Sequence, residues 1–198
     1  MANGRVITGY SLPYVAKYTN TGGTVTYSEG MALARGVDVS IAPEAADATP
    51  FYADNTVAET AGGGFTGGTV SLTVDGLKKE AQKLIMGLPA QTTVTVDSDT
   101  VNVSDFGDAM EIPYVGIGFV VRYMEDGITT YDAGVLRKCK FTVFGTEAAT
   151  QEDAIAFQTQ ALEATIFKDD TSAHNWKRVS DPQTTEAAAM AVVQALLA

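Results

Sequence analysis

The stretch that decides the fold is "YVGIGFVVRYMEDGITTY", Tyr114–Tyr131. Its first half is almost continuously apolar from Val115 to Val121. A run of that kind reads as a β-strand buried on both faces. Asp126-Gly127 then offers a strong two-residue hairpin turn, because both residues tolerate positive φ. The chain therefore has a hairpin at its centre, and the segments on either side read the same way.

Downstream, "VLRKCKFTVFG" alternates Cys139, Phe141 and Val143 against Lys138, Lys140 and Thr142. "AFQTQALEATIF" alternates too, with a change of phase near Ala161 and Leu162 that suggests a bulge. Upstream, "YVAKYTNTGGTVTY" is two alternating runs around a turn at Asn20–Gly23. "VDVSIA" sets Val37, Val39 and Ile41 against Asp38 and Ser40, and Val70, Leu72 and Val74 alternate with Thr69, Ser71 and Thr73. "TTVTVDSDTVNV" is a short hairpin candidate turning at Asp97–Thr100.

Two segments carry the helical period. After Asp75, an expected N-cap, "GLKKEAQKLIMGL" places Leu77, Ala81, Leu84, Ile85 and Leu88 on one stripe, and Gly87 or Pro89 ends it. The closing "TTEAAAMAVVQALLA", within 183–198, puts Met190, Val193 and Leu197 on one face. The expectation is one domain over 1–198, mainly β with flanking helices (α+β). Its form is an antiparallel β-sandwich or half-barrel with one internal helix, a C-terminal helix and a long loop at 42–68.

Composition narrows the function classes. The chain has 198 residues, 45% of them hydrophobic, which suits a packed domain. No apolar run approaches the roughly 20 residues of a membrane helix, so no membrane anchor is expected. The N-terminal "MANGRVITGYSLPYVAKY" lacks a secretory pattern. One cysteine, Cys139, rules out an internal disulfide framework and fits folding in a reducing cytoplasm. The net charge is −11, from 24 acids against 13 bases, which opposes ordinary nucleic-acid binding. It suits solubility, or a wall that repels DNA.

The chain offers few groups for chemistry, and neither an enzyme nor a cofactor is expected. His174 is the only histidine and lies in the polar "DDTSAHNWKRV". Cys139 falls on an apolar face, so an inert buried thiol is the expected reading rather than a nucleophile paired with His174. "DSDTVNVSDFGD" has Val101 and Asn102 where a calcium loop needs an oxygen ligand and a glycine. "GGGFTGG" precedes a strand rather than a helix N-terminus, so it is no phosphate cradle. "NVS" at Asn102 matches a glycosylation acceptor by chance at this length. The acid pairs Asp169-Asp170 and Glu152-Asp153 read as solvated turns.

"FYADNTVAETAGGGFTGG", Phe51–Gly68, is the segment without an obvious local purpose. It carries two aromatics, Asp54 and Glu59, and five glycines in the seven positions Gly62–Gly68. A long loop of this kind in a compact domain is usually functional or disordered.

That segment, taken in order with "VSLTVDGLKKEAQKLIMGL", "PYVGIGFVVRYMEDG", "KFTVFGTEAATQEDAIAFQTQALEATIF" and "NWKRV", resembles the major tail tube protein family of long-tailed, siphovirus-type bacteriophages. The resemblance covers about Phe51 to the C-terminus. It implies a virion protein made in the bacterial cytoplasm, whose hexameric rings stack into a hollow tube that passes the phage DNA without binding it specifically. It also implies contacts with tape measure, tail terminator and distal tail proteins. The loop at 42–68 would reach a neighbouring subunit, with Phe51 and Tyr52 as anchors and Asp54, Glu59, Gly62, Gly63 and Gly64 at the interface. Asp38, Gln158, Gln160 and Glu163 would line the lumen. Two other readings stand beside it. One is a capsid-decorating or adhesin-like β-domain that binds a carbohydrate or host protein through Trp176 and Tyr131. The other is a hydrolase with two carboxylates at a fixed separation.

Overall fold

The computed structural model describes residues 4–151 and 157–198. The acid pair Glu152-Asp153 lies outside the described residues. The chain is mainly β, with antiparallel sheets and two helices. Seven strands follow one another in a single sheet. They are β1 (Val6–Thr21), β2 (Thr24–Ala32), β3 (Gly36–Ala45), β6 (Phe65–Val74), β9 (Val115–Glu125), β10 (Ile128–Phe141) and β11 (Gln160–Phe167). Their spatial order is β2-β1-β9-β10-β11-β6-β3, and the short β12 (Lys177–Val179) also pairs with β10. Two further pairs stand apart: β4 (Thr49–Ala53) with β5 (Thr56–Ala61), and β7 (Thr92–Val96) with β8 (Asp99–Val103).

The central hairpin is where the sequence places it. β9 and β10 pair from Ile128↔Glu125 onward, and Asp126 and Gly127 both take positive φ. Residues Val115–Val120 are buried because each face has its own cover. Val115, Ile117 and Phe119 enter the main core with Leu72, Leu136 and Ile166. Val120 enters a second cluster with Ala133, Val135 and the helix α2 (Glu186–Leu196). Gly116 and Gly118 lie directly beneath that helix. A Cβ at Gly118 would stand 2.2 Å from Cγ1 of Val193, and one at Gly116 would stand 2.4 Å from Cδ2 of Leu197. These two glycines let α2 approach the strand.

The sheet curls so that β3 returns toward β1, and Gly36 abuts the ring of Tyr10. Its concave side is filled by the main core and plugged by α1 (Lys79–Met86), which buries Ala81, Leu84, Ile85 and Met86. Gly87 ends α1 in the left-handed conformation, and the amides of Gly87 and Leu88 close onto Leu84 and Lys83. At the other end, Thr185 caps α2 by accepting from the Ala188 amide.

Four details depart from the sequence reading. Asp75 does not cap α1. The helix starts after Lys78, and Asp75 instead accepts from the backbone and side chain of Arg35. Val37 is exposed, because the β3–β6 register shifts between Gly36 and Asp38 and turns it out of the core. Val143 is 71% exposed, because β10 ends at Phe141. β11 has no bulge at Ala161 and Leu162: its ladder with β6 is regular from Gln160 to Ile166.

Candidate assembly surface

The segment expected as a long loop is a β-hairpin. Ala42–Ala45 and Phe65–Gly68 still belong to the main sheet, where β3 pairs with β6. The extension proper therefore spans 46–64, narrower than the expected 42–68. Beyond Ala45 the chain forms β4, turns through Asp54 and Asn55 at positive φ, and returns as β5. Phe51 faces Glu59 across the pair, and Tyr52 faces Val57. The register shift between Phe51 and Tyr52 leaves Ala58 as the extra residue of a bulge.

Every residue of this hairpin is exposed, including Phe51 at 64% and Tyr52 at 63%. Two of the glycines have a place in the chain's own turn. Gly62 has φ 121°, and a Cβ there would lie 2.7 Å from the Asp47 carbonyl. Gly63 has φ 93°, and Gly64 accepts from the Ala46 amide at 3.0 Å. Gly62–Gly64 thus form the bend at which the hairpin leaves the sheet.

A second projection was not marked as such by the sequence. The pair β7–β8 is also exposed throughout. Its register puts Val94 opposite Val101 and Thr92 opposite Val103. Alternation then sets Val94, Val96, Val101 and Val103 on one face and Thr93, Thr95, Thr100 and Asn102 on the other. All four valines are exposed, by 36% to 55%, and Phe106 just beyond is 56% exposed. The alternation was legible, but nothing local distinguishes an uncovered valine face from a buried one. In the chain, β4–β5 comes just before β6, and β7–β8 follows it after α1.

The expected lumen residues divide. Asp38 pairs with Thr73, which pairs with Ala161, while Ser40, Ser71 and Glu163 form the adjoining row. Asp38 and Glu163 therefore occupy one face of the β3–β6–β11 segment, opposite Leu72 and Leu162, and both are exposed. Gln160 falls on the opposite side, half-buried on the face of Leu162. Gln158 precedes the strand and holds the Ala149 amide at 3.1 Å. The two glutamines thus do not share the face of Glu163.

Asp169 and Asp170 are not solvated turn acids. Asp169 is buried against Arg137, itself buried, and also accepts from Thr171. The register shift between Leu136 and Cys139 places Arg137 there. Asp170 binds Lys138 and the Tyr18 hydroxyl, whose hydrogen bonds hold its carboxyl below the usual range. The Lys138 ammonium also sits over the Tyr114 ring at 4.6 Å. This cluster pins the 168–176 connection to the sheet.

The residues considered for other chemistry are dispersed. Cys139 is fully buried and its thiol is pushed far up by desolvation, whereas His174 stands in an exposed turn. Trp176 is partly buried and stacks on Phe65 at 4.5 Å, and Tyr131 packs beside α2 while its backbone bridges Gln183. Neither aromatic is the exposed platform that carbohydrate binding was expected to use. Among the described residues no three His, Cys, Asp or Glu gather to hold a metal, and no helix is long and apolar enough to cross a membrane. No family model matches the chain, and no curated protein matches it.

Proposed function

We propose that this chain is a structural subunit of a phage tail tube, which polymerises as stacked hexameric rings and conducts the genome during ejection. The observation that carries the reading is the pair of exposed two-stranded hairpins with bare apolar side chains. An isolated two-stranded hairpin is marginally stable in water. Phe51, Tyr52 and the four valines leave exposed apolar surface of the kind that another chain covers. Two such separate projections suit a subunit that touches several copies of itself. The ordered sequence resemblance supports the same reading.

The bare face of β3, β6 and β11 supports the channel. It carries Ser40, Ser71, Thr73 and Thr165 with two acids, Asp38 and Glu163. Repeated by ring symmetry, these carboxylates would form a continuous negative wall along which DNA slides. No catalytic step is needed, and the proposed work is assembly and passive conduction. Electron microscopy of the concentrated protein tests the reading. Tubes of uniform width are expected, and a strict monomer at every concentration would overturn it.

A further inference from the structure

We infer that the β4–β5 hairpin of one copy of this chain seats Phe51 in the groove between α1 and the β7–β8 hairpin of a second copy, with Glu59 facing Lys79 and Lys83. The inference rests on the self-assembly reading and names the seat of one projecting hairpin. Phe51 and Glu59 are cross-strand partners, so the ring and the carboxylate stand on the same side of the pair. Tyr52 and Val57 stand on the other side. From Gly36 to Leu77 the chain has six acids and no lysine or arginine, so the hairpin carries no positive charge of its own. Its residues are all exposed, so it does not rest on the groove of its own chain.

The groove offers both halves of the match. It has a volume of about 350 Å³, and Leu88, Val103 and Phe106 give it an apolar lining. Lys79 and Lys83, one helical turn apart on α1, line it as well. Both lysines are exposed, and neither joins an ion pair among the described residues. Glu80 also lines the groove, so the lining carries two positive charges against one negative. Asp105 lies outside the lining and accepts from the Thr92 hydroxyl at 3.0 Å. The Gln91 side-chain amide donates to the Ser104 hydroxyl at 3.1 Å, which closes the base of the β7–β8 hairpin where the groove lies.

A chain of net charge −11 repels its own copies on average, so an attractive contact needs a local reversal of sign. Arg137 and Lys138 are already bound to Asp169 and Asp170, whereas Lys79 and Lys83 stand beside an open apolar hollow. An acidic hairpin with a bare aromatic ring finds both a counter-charge and an apolar seat there. Arm and groove are different surfaces, so the contact passes from copy to copy rather than closing a symmetric pair.

Charge reversal tests it. Glu59→Lys and Lys79→Glu/Lys83→Glu are made separately and then combined in one chain. Self-association is followed by sedimentation at low salt, with far-UV circular dichroism to verify folding. Each separate variant should need about tenfold more protein to associate. The combined chain should associate like the unmodified one, because its reversed arm meets a reversed groove. Separate variants that associate normally, or a combined chain that does not recover, would overturn the docking and leave the tube reading standing. An unmodified chain that never associates would overturn both. As a second readout, chains carrying Ala53→Cys, on the Phe51 side of β4, are mixed with chains carrying Val103→Cys and oxidised. Cys139 is fully buried and stays out of the reaction. A disulfide between the two kinds of chain is expected, and its absence from assembled material would contradict the contact. Disulfides only between two Ala53→Cys chains would pair the arm with its own counterpart and overturn the groove as its seat.

Discussion

Asp38 and Glu163 stand on the same face of the sheet with one strand, β6, between them. Neither is in the core, so reversing both charges should leave stability within about 0.5 kcal/mol. In particles carrying Asp38→Lys and Glu163→Lys, genome ejection should slow and become sensitive to salt, because lysines on a channel wall recruit phosphates. Unchanged ejection kinetics at low salt, from particles with intact tails, would place this face outside the channel.

Leu84 is 8% exposed and packs between α1 and the concave face of the sheet. Leu84→Ala should lower unfolding free energy by about 2–5 kcal/mol in urea titrations, through lost transfer energy and the cavity left behind. A loss under about 0.5 kcal/mol would show that α1 does not plug the core.

Gly118 should not tolerate a side chain, because its missing Cβ is the space Val193 occupies. Gly118→Ala should cost about 1–3 kcal/mol by displacing α2. Adding Val193→Ala should recover part of that loss. If the double variant is no more stable than Gly118→Ala alone, α2 does not rest on this strand.

Removing Asp169 leaves Arg137 buried without its carboxylate. Asp169→Ala should cost about 3–5 kcal/mol, well beyond a surface substitution. Denaturation midpoints of the two proteins give the comparison, and equal midpoints would show that the pair does not hold the connection.

Asp170 makes a pH prediction of definite sign. Its carboxyl titrates lower in the folded chain than in the unfolded one, because Lys138 and Tyr18 bind the charged form. Its stabilising contribution is therefore full above about pH 4 to 5, the unfolded range, and is lost as pH falls through the folded value. Melting temperatures of the unmodified chain and Asp170→Asn should differ at pH 6 and converge toward pH 2. A gap that persists to pH 2 would contradict the assignment.

The central hairpin, the turn at Gly22-Gly23 and both helices were legible because each rests on local rules: period, turn residues and apolar stripes. What was not legible depends on partners distant in sequence. Asp169 reads as a solvated turn acid, yet a register shift turns Arg137 toward it and both are buried. Val37 kept perfect alternation yet lies outside, because one irregular pairing reverses its side. The arm at Phe51–Gly68 was visible as an oddity, through its glycines and aromatics. The β7–β8 hairpin carries the same alternation as a core strand, so its exposure was not.

Hydrogen exchange at Thr49–Ala61, compared between dispersed and assembled protein, tests most directly whether the projecting hairpins are assembly elements. These amides belong to an exposed, two-stranded pair, so they should exchange rapidly in the dispersed chain. On assembly they should slow by about 100-fold or more, while the buried Val115–Val120 stays slow in both states. Equally fast exchange at Thr49–Ala61 in assembled material would contradict the account.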